Sequence, residues 1–273
     1  MEYDDKTLKH LQNLELMVLK DFIKLCDENN LNYYIYGGSL LGAVRHKGFI
    51  PWDDDIDVIM FRDEFDKFKE IFLSQRNEKY ELLSYEFYDD YFFLFPKIML
   101  KGTKFEEWWG DQVSFTVGIN IDIFVLDDVS DNKLESFIQI KYCRLLDRLL
   151  TVSSIKLKDY PFVPQLISNV SHRILSLFRI KPIKIINSCL KLLTKFENTE
   201  KVCDITALNH PQIYQREDFG KGVKIEFEDI MVNAPADSHR ILEQIYGDYM
   251  KLPPKEERYN HMPYNLDFGH YEL

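Results

Sequence analysis

Cysteine is scarce in this chain of 273 residues: Cys26, Cys143, Cys189 and Cys203 lie far apart, with no CxxC pair among them. Such spacing offers no disulfide framework and reads as buried free thiols in a reducing compartment. No run approaches the roughly 18 apolar residues of a membrane-spanning helix. The opening MEYDDKTLKH is polar and acidic, unlike a signal peptide, so a cytoplasmic protein is expected. Basic charge is in deficit, with 34 Lys and Arg against 45 Asp and Glu for a net charge of -11, which argues against a nucleic-acid backbone as partner. What the chain does have is 45% hydrophobic and 14% aromatic residues, enough to exclude general disorder. Its length suits one domain, or a domain with an embedded subdomain.

The stretch from Tyr36 to Met60, YGGSLLGAVRHKGFIPWDDDIDVIM, holds the densest chemistry. Gly37 and Gly38 carry no Cβ, so their backbone can approach a ligand closely, and with the Ser39 hydroxyl they would hold phosphate oxygens where a helix over Leu40–Arg45 begins. Asp55 and Asp57 alternate with Ile56 and Val58, which on a strand puts both acids on one face and the apolar pair in the core. Two carboxylates so close repel unless a positive charge sits between them, and a hard cation such as Mg²⁺, with Mn²⁺ as a substitute, is the remedy where phosphate is handled. Arg45, His46 and Lys47 follow the short helix as candidate phosphate cations, Arg45 first because its planar donors match phosphate oxygens; the other reading is a solvated loop.

Around this stretch, apolar periodicity predicts helices over Leu8–Asn29 and Phe61–Phe72, strands at Tyr33–Tyr36, Tyr80–Leu83 and Tyr91–Met99, and a helix over Asn132–Leu150. Lys97 stands alone in apolar surroundings, either snorkelling to solvent or reaching a phosphate. In Val117–Val125 the isoleucines 119, 121 and 123 share one face and Asn120, Asp122 and Phe124 the other; Asp127 and Asp128 read as the turn that follows. An aspartate in such a strand is costly unless paired or bound to metal. Trp108 and Trp109, with Tyr85, Phe87, Tyr88, Tyr91 and Phe92, form an aromatic cluster of the kind that holds a quaternary ammonium; the other reading is a chance cluster in a chain with 14% aromatic residues. Strands are expected at Val202–Thr206 and Val223–Phe227, a helix over Ser238–Tyr246, and an extended arm around Pro253-Pro254.

Gly37-Gly38-Ser39 followed by Asp55-Ile56-Asp57 resembles the signature of the nucleotidyltransferase superfamily, and GGSLLGAVRHKGFIPWDDDIDV resembles the hallmark block of the LicD family. The likeness continues at Gly102-Thr103, at Gly118–Phe124 and in YGDYMKLPPKEERYNH, Tyr246 to His261, with a weakly matching middle. The resemblance implies an α+β fold, a nucleotidyltransferase-like core of a small mixed sheet flanked by helices with a helical insertion. The expected division is 1–130 catalytic core, 131–200 basic amphipathic subdomain and 201–273 strand, helix and returning arm. It further implies a Mg²⁺-dependent transfer of phosphocholine from CDP-choline to a glycan hydroxyl of teichoic acid or lipopolysaccharide type, releasing CMP. Asp55, Asp57 and Asp122 would be the metal ligands, with Asp122 alternatively the general base. Arg45 and His261 would assist, and Gly37, Gly38, Ser39, His46, Lys47, Lys97, Trp108 and Trp109 would bind the donor. Transfer of another phospho-alcohol or sugar phosphate, and true nucleotidyl transfer, remain open alternatives.

From Ile155 to Lys195 there are eight Lys or Arg against one Asp, a local charge of +7 in a chain whose remainder sums to -18. With apolar residues between the charges and Pro161, Pro164 and Pro182 dividing it into short helices, this segment is expected to lie on an anionic membrane surface where a lipid-linked acceptor is presented. A helical insertion with solvated lysines is the other reading.

Overall fold

The structure, a computed structural model, describes residues 3–156, 162–178, 181–206 and 212–271. Asp4 caps the first helix, α1 (Asp5–Glu28), by accepting from the N–H groups of Lys6 and Thr7, and the helix buries Leu11, Leu14, Val18, Phe22 and Leu25 on one side. The chain continues through β1 (Tyr34–Ile35), α2 (Gly37–His46), β2 (Asp57–Phe61), α3 (Arg62–Ser74), β3 (Tyr80–Leu83), β4 (Lys97–Leu100), β5 (Lys104–Glu106) and β6 (Asn120–Val129). The helices α4 (Lys133–Ser154), α5 (Phe162–Leu177) and α6 (Pro182–Leu193) follow, then β7 (Lys201–Asp204), β8 (Gln212–Gln215) and the short α7 (Arg216–Phe219). A hairpin of β9 (Val223–Phe227) and β10 (Ile230–Ala234), helix α8 (Ser238–Tyr246) and β11 (Asn265–Asp267) complete the order.

The main sheet runs β1-β2-β6-β4-β3, with β7 and then β8 added beyond the far half of β6. Within it β2 and β6 are parallel and the other pairs antiparallel, giving a curled mixed sheet flanked by helices. Ile119, Ile121 and Ile123 are fully buried in the core that α1 covers, together with Ile56 and Val58. A second core joins Tyr91, Phe92, Trp109 and Phe115 to Cys143, Leu150, Ile186 and Cys189 of α4 and α6. Among the described residues no helix is long and apolar enough to cross a membrane.

Several boundaries differ from expectation. Gly37 opens α2, so the glycines form the helix's first turn and do not precede it. Asp55 lies before β2, although the alternation it belongs to persists: Asp53, Asp55 and Asp57 are half-buried while Asp54, Ile56 and Val58 are buried. The strand expected over Tyr91–Met99 shrinks to β4, because Tyr91, Phe92 and Phe93 pack on Trp109 and Phe115 as a folded loop. Asp127 and Asp128 are in β6, not in a turn, since each has a cationic partner: Arg62 grips Asp127 with two bonds of 2.7 and 2.9 Å, and Arg216 pairs with Asp128. Pro161 and the lysine and arginine at 158 and 179 lie outside the described residues.

Candidate active site

Strand register builds the site. The order β2-β6-β4 sets Asp57 opposite Asp122, and Asp122 opposite Lys97, so an acid, an acid and a cation stand side by side on three neighbouring strands. Lys97 is buried and its ammonium is 2.5 Å from Asp122 Oδ1 and 3.4 Å from Asn120 Oδ1, with the rings of Phe93 and Phe95 each 5.3 Å away. Burial works against its charge, but Asp122 outweighs it and raises the lysine's affinity for its proton.

The helix α2 starts against these acids. A Cβ on Gly37 would come 2.6 Å from Asp57 Oδ2, and one on Gly38 would come 3.0 Å from Asp53 Oδ2, so glycine is what lets the carboxylates reach the helix terminus. Gly37 also has φ +53°, a conformation other residues avoid. The first N–H groups of a helix have no partner within it and attract anions. Ser39 is buried, and its hydroxyl accepts the Asp57 N–H at 2.9 Å, so it fixes the backbone of the acid it was expected to serve beside.

The acids crowd one another. Burial raises the Asp57 carboxyl well above the usual range, and Asp55, Asp122 and Asp53 push it further. Burial and the charges of Asp55 and Asp54 do the same to Asp53, and Asp55 is pushed up to about 6, mainly by burial, with His261 opposing. Glu15, buried on α1, is likewise raised by burial and by Asp55, and its Oε2 has no hydrogen-bond partner. A cluster with this excess of negative charge and only oxygen donors fits a hard divalent cation in its chemistry. Yet among the described residues no three acid, histidine or cysteine side chains converge on one point as they stand. Asp122, expected as the third ligand, is drawn to Lys97 instead.

Asp54 is 1% exposed and acts as a clasp: it accepts from the Tyr3 hydroxyl and from the His261 N–H, each at 2.8 Å. The His261 ring then stands 3.4 Å from Asp55 Oδ2 and 3.6 Å from Asp54 Oδ1. Burial lowers its affinity for a proton, but the bond to Asp54 and the charges of Asp55 and Asp54 prevail and push it up to about 9. The same arm lines an open cleft of about 930 Å³, in which Trp52, Trp108, Tyr259 and Glu107 face Arg258 and His261. The Arg258 guanidinium lies 4.3 Å from the centre of the Trp52 ring.

Other expected site residues are placed elsewhere. Trp109 is buried in the second core, in edge contact with Phe92 at 5.0 Å, so of the two tryptophans only Trp108 lines the cleft. His46 and Lys47 turn toward a separate depression with Lys9 and Glu228, and Lys47 pairs with Glu226 at 2.9 Å. The reason is the left-handed backbone at Lys47, φ +60°, which ends α2 and redirects the chain. Arg45 donates to the Tyr249 carbonyl at 2.8 Å and to His46, so it carries the arm; its charge still couples to Asp53. Asp53, Asp54, Glu107 and Arg258 were missed as site residues. The alternation of the acids back from Asp57 pointed to Asp53, whereas nothing local marked the other three.

A curled mixed sheet with a glycine-opened helix beside an acidic strand defines a nucleotidyltransferase-like protein. A family model described as LicD/FKTN/FKRP, nucleotidyltransferase domain, matches residues 30–142. The lipopolysaccharide cholinephosphotransferase LicD of Haemophilus influenzae is 30% identical over 266 residues, 93% of this chain and 96% of that protein. An uncharacterized protein of Rickettsia prowazekii is 46% identical over 69 residues, 25% of this chain and 24% of its own, and one of Rickettsia typhi is 54% identical over 48 residues, 17% and 16% respectively. The chain therefore belongs to the LicD family, and it is an enzyme of transferase type.

Proposed function

We propose that this enzyme moves phosphocholine from CDP-choline to a hydroxyl of a cell-surface glycan precursor and releases CMP. The observation that carries the reading is the Asp57–Asp122–Lys97 row at the glycine-opened start of α2, with an aromatic cleft holding Glu107 beside it. The name of the Haemophilus influenzae relative supports both the choline and the glycan. In the reaction the acceptor oxygen bonds to the β-phosphorus, the bond from that phosphorus to the CMP oxygen breaks, and the acceptor proton passes to a base. Mg²⁺, or Mn²⁺, held by Asp55 and Asp57 would neutralise the diphosphate and stabilise the leaving phosphate.

The chain's own groups supply the remainder. Lys97 holds the Asp122 carboxylate in place, which suits Asp122 to take the acceptor proton. First-turn N–H groups of α2 at Gly37, Gly38 and Ser39 meet phosphate oxygens, and cationic His261 and Arg258, with Arg45 behind them, complement the diphosphate charge. Trp108 with Glu107 offers the ring face and carboxylate that a trimethylammonium needs, worth about 0.5 to 2 kcal/mol, while the Trp52 ring carries the Arg258 guanidinium. A lipid-linked glycan at the inner face of the membrane is the acceptor proposed.

The test is incubation with CDP-choline, CDP-ribitol, CDP-glycerol and nucleoside triphosphates, each with Mg²⁺ and glycolipid acceptors, reading the released nucleotide. CMP from CDP-choline is the expected product. CMP only from another CDP-alcohol would replace the phosphocholine, and pyrophosphate from a triphosphate would make the enzyme a true nucleotidyltransferase.

A further inference from the structure

The helices α4 and α5 pack on each other, and each turns apolar residues outward. On α4 the exposed residues Leu134, Phe137, Ile138, Tyr142 and Leu145 recur at three- and four-residue steps, which is one side of a helix. Lys141 and Arg148, seven and fourteen residues after Leu134, stand on that same side and are exposed. Of the acids of α4, Asp147 is half-buried, and Glu135, exposed at the edge of this side in the first turn, accepts from the Ser130 hydroxyl at 2.7 Å. On α5 the inward positions are Ser168 and Leu175, while Phe162 is 74% exposed, Leu177 78%, and Val163, Ile167 and Ile174 lie outward between them, with Arg173 also exposed. An amphipathic helix normally buries its apolar side. Here α4 buries Cys143, Leu146 and Leu150 and α5 buries Leu175, yet a further apolar side of each is left bare, and the two adjacent helices expose it together.

Charge decides what covers this face. Helix α4 carries four Lys or Arg against two acids and α5 carries Arg173 with no acid, and both adjoin the +7 segment Ile155–Lys195 in a chain of net charge -11, so this side is cationic where the chain as a whole is acidic. A second copy packed by two-fold symmetry would set Lys141, Arg148 and Arg173 against a face that carries the same three cations. Exposed aliphatic and aromatic residues interspersed with Lys141, Arg148 and Arg173, with Glu135 at the edge the one exposed acid of the two helices among the described residues, match the boundary between acyl chains and anionic headgroups. The face also differs from the expectation drawn from charge alone. Helix α6 buries Ile185, Ile186, Cys189 and Leu193 in the second core, and Lys181 is held 3.3 Å from Asp89, so α6 is a support and not the contact.

We infer that the outward sides of α4 and α5 form a docking face for an anionic lipid bilayer. The face serves the proposed glycolipid acceptor, but its existence does not depend on which group the active site transfers.

Full-length protein, without donor or acceptor, is sedimented with vesicles of phosphatidylcholine alone and of phosphatidylcholine mixed with phosphatidylglycerol. Capture by the anionic vesicles is expected to be at least about tenfold stronger and to fall with salt. The triple variant Lys141→Glu, Arg148→Glu, Arg173→Glu is expected to lose that advantage, and Phe137→Ser with Phe162→Ser to weaken capture by a similar factor. Both sets are exposed, so unchanged circular dichroism is expected to accompany the loss. Equal capture by the two vesicle types, unaltered capture of both variants, or self-association abolished by Phe162→Ser in place of lipid binding would each overturn the inference. Turnover of CDP-choline on a soluble acceptor, measured alongside, is expected to be unaltered in both variants, and its absence in the parent would reject the phosphocholine reading while leaving the docking face standing.

Discussion

At Asp57 four demands meet on one residue: its backbone joins two strands, its N–H is held by Ser39, its carboxylate presses on Gly37, and its charge is opposed by neighbours of the same sign. A residue so placed is expensive to the fold, which is the mark of a site kept for function. Asp57→Asn is therefore expected to act in two directions. Turnover falls by at least about tenfold, and in chelating buffer the melting midpoint rises by a few degrees, because one member of the crowded cluster loses its charge. Adding Mg²⁺ to the parent is expected to raise its midpoint by binding the folded form, by about 2.7 kcal/mol at a hundredfold excess over the dissociation constant. The variant is expected to respond far less. Calorimetric melting with and without chelator reads both effects; a destabilised variant that keeps full turnover would remove Asp57 from the metal site.

Among the elements, those whose evidence is local were legible in the sequence. The stripe of α1, the hairpin strand β9 and the helix α8 follow from periodicity and caps alone, and so does the strand around Asp122 with its three buried isoleucines. What failed depended on partners distant in sequence. Asp127 looked like a turn residue because Arg62 is 65 positions away. Trp109 looked like a pocket wall because only folding brings Phe92 onto it. Periodicity in α5 identified an apolar side but not which way it faces. The Arg62–Asp127 pair makes the dependence measurable: Arg62→Met leaves a buried carboxylate alone and is expected to cost about 3 to 5 kcal/mol in denaturant unfolding. An equal midpoint for parent and variant would show the pair to be dispensable.

Helix α4 carries a pH signal of its own. Burial raises Asp147 to about 6, against the opposing charge of Arg144. Its folded form thus holds the proton more tightly than the unfolded chain, so the favourable contribution is complete below about pH 4 and is lost as the pH climbs toward 6. The half-buried site is partly screened, leaving a penalty of about 1 to 2 kcal/mol at neutral pH. Asp147→Asn is expected to raise the melting midpoint by several degrees at pH 7.5 and by little near pH 4. A rise of the same size at both values would assign the effect to packing and not to charge.

For the whole molecule, the cleft exists because the end of the chain comes back to the beginning. After α8 the arm is held to α2 by Arg45 on the Tyr249 carbonyl, to Trp52 by Arg258, to Asp54 by the His261 N–H, and finally to β5 by β11. Asp54 is a buried acid that joins both ends, since Tyr3 donates to its other oxygen. Asp54→Ala strands both donors, and each lost bond is worth about 1 to 3 kcal/mol when its partner stays buried. The core beneath is untouched, so the expected result is local opening, not unfolding. Trypsin is expected to cut at Lys251 and Lys255 at least about fivefold faster. Because His261 donates through its backbone, His261→Ala keeps that bond and is expected to be cut at the parent rate while losing the imidazole beside Asp55. If His261→Ala were cut as fast as Asp54→Ala, the ring and not the Asp54 clasp would hold the arm. If neither were cut faster than the parent, Arg45 and β11 alone would suffice to keep the cleft closed on that side.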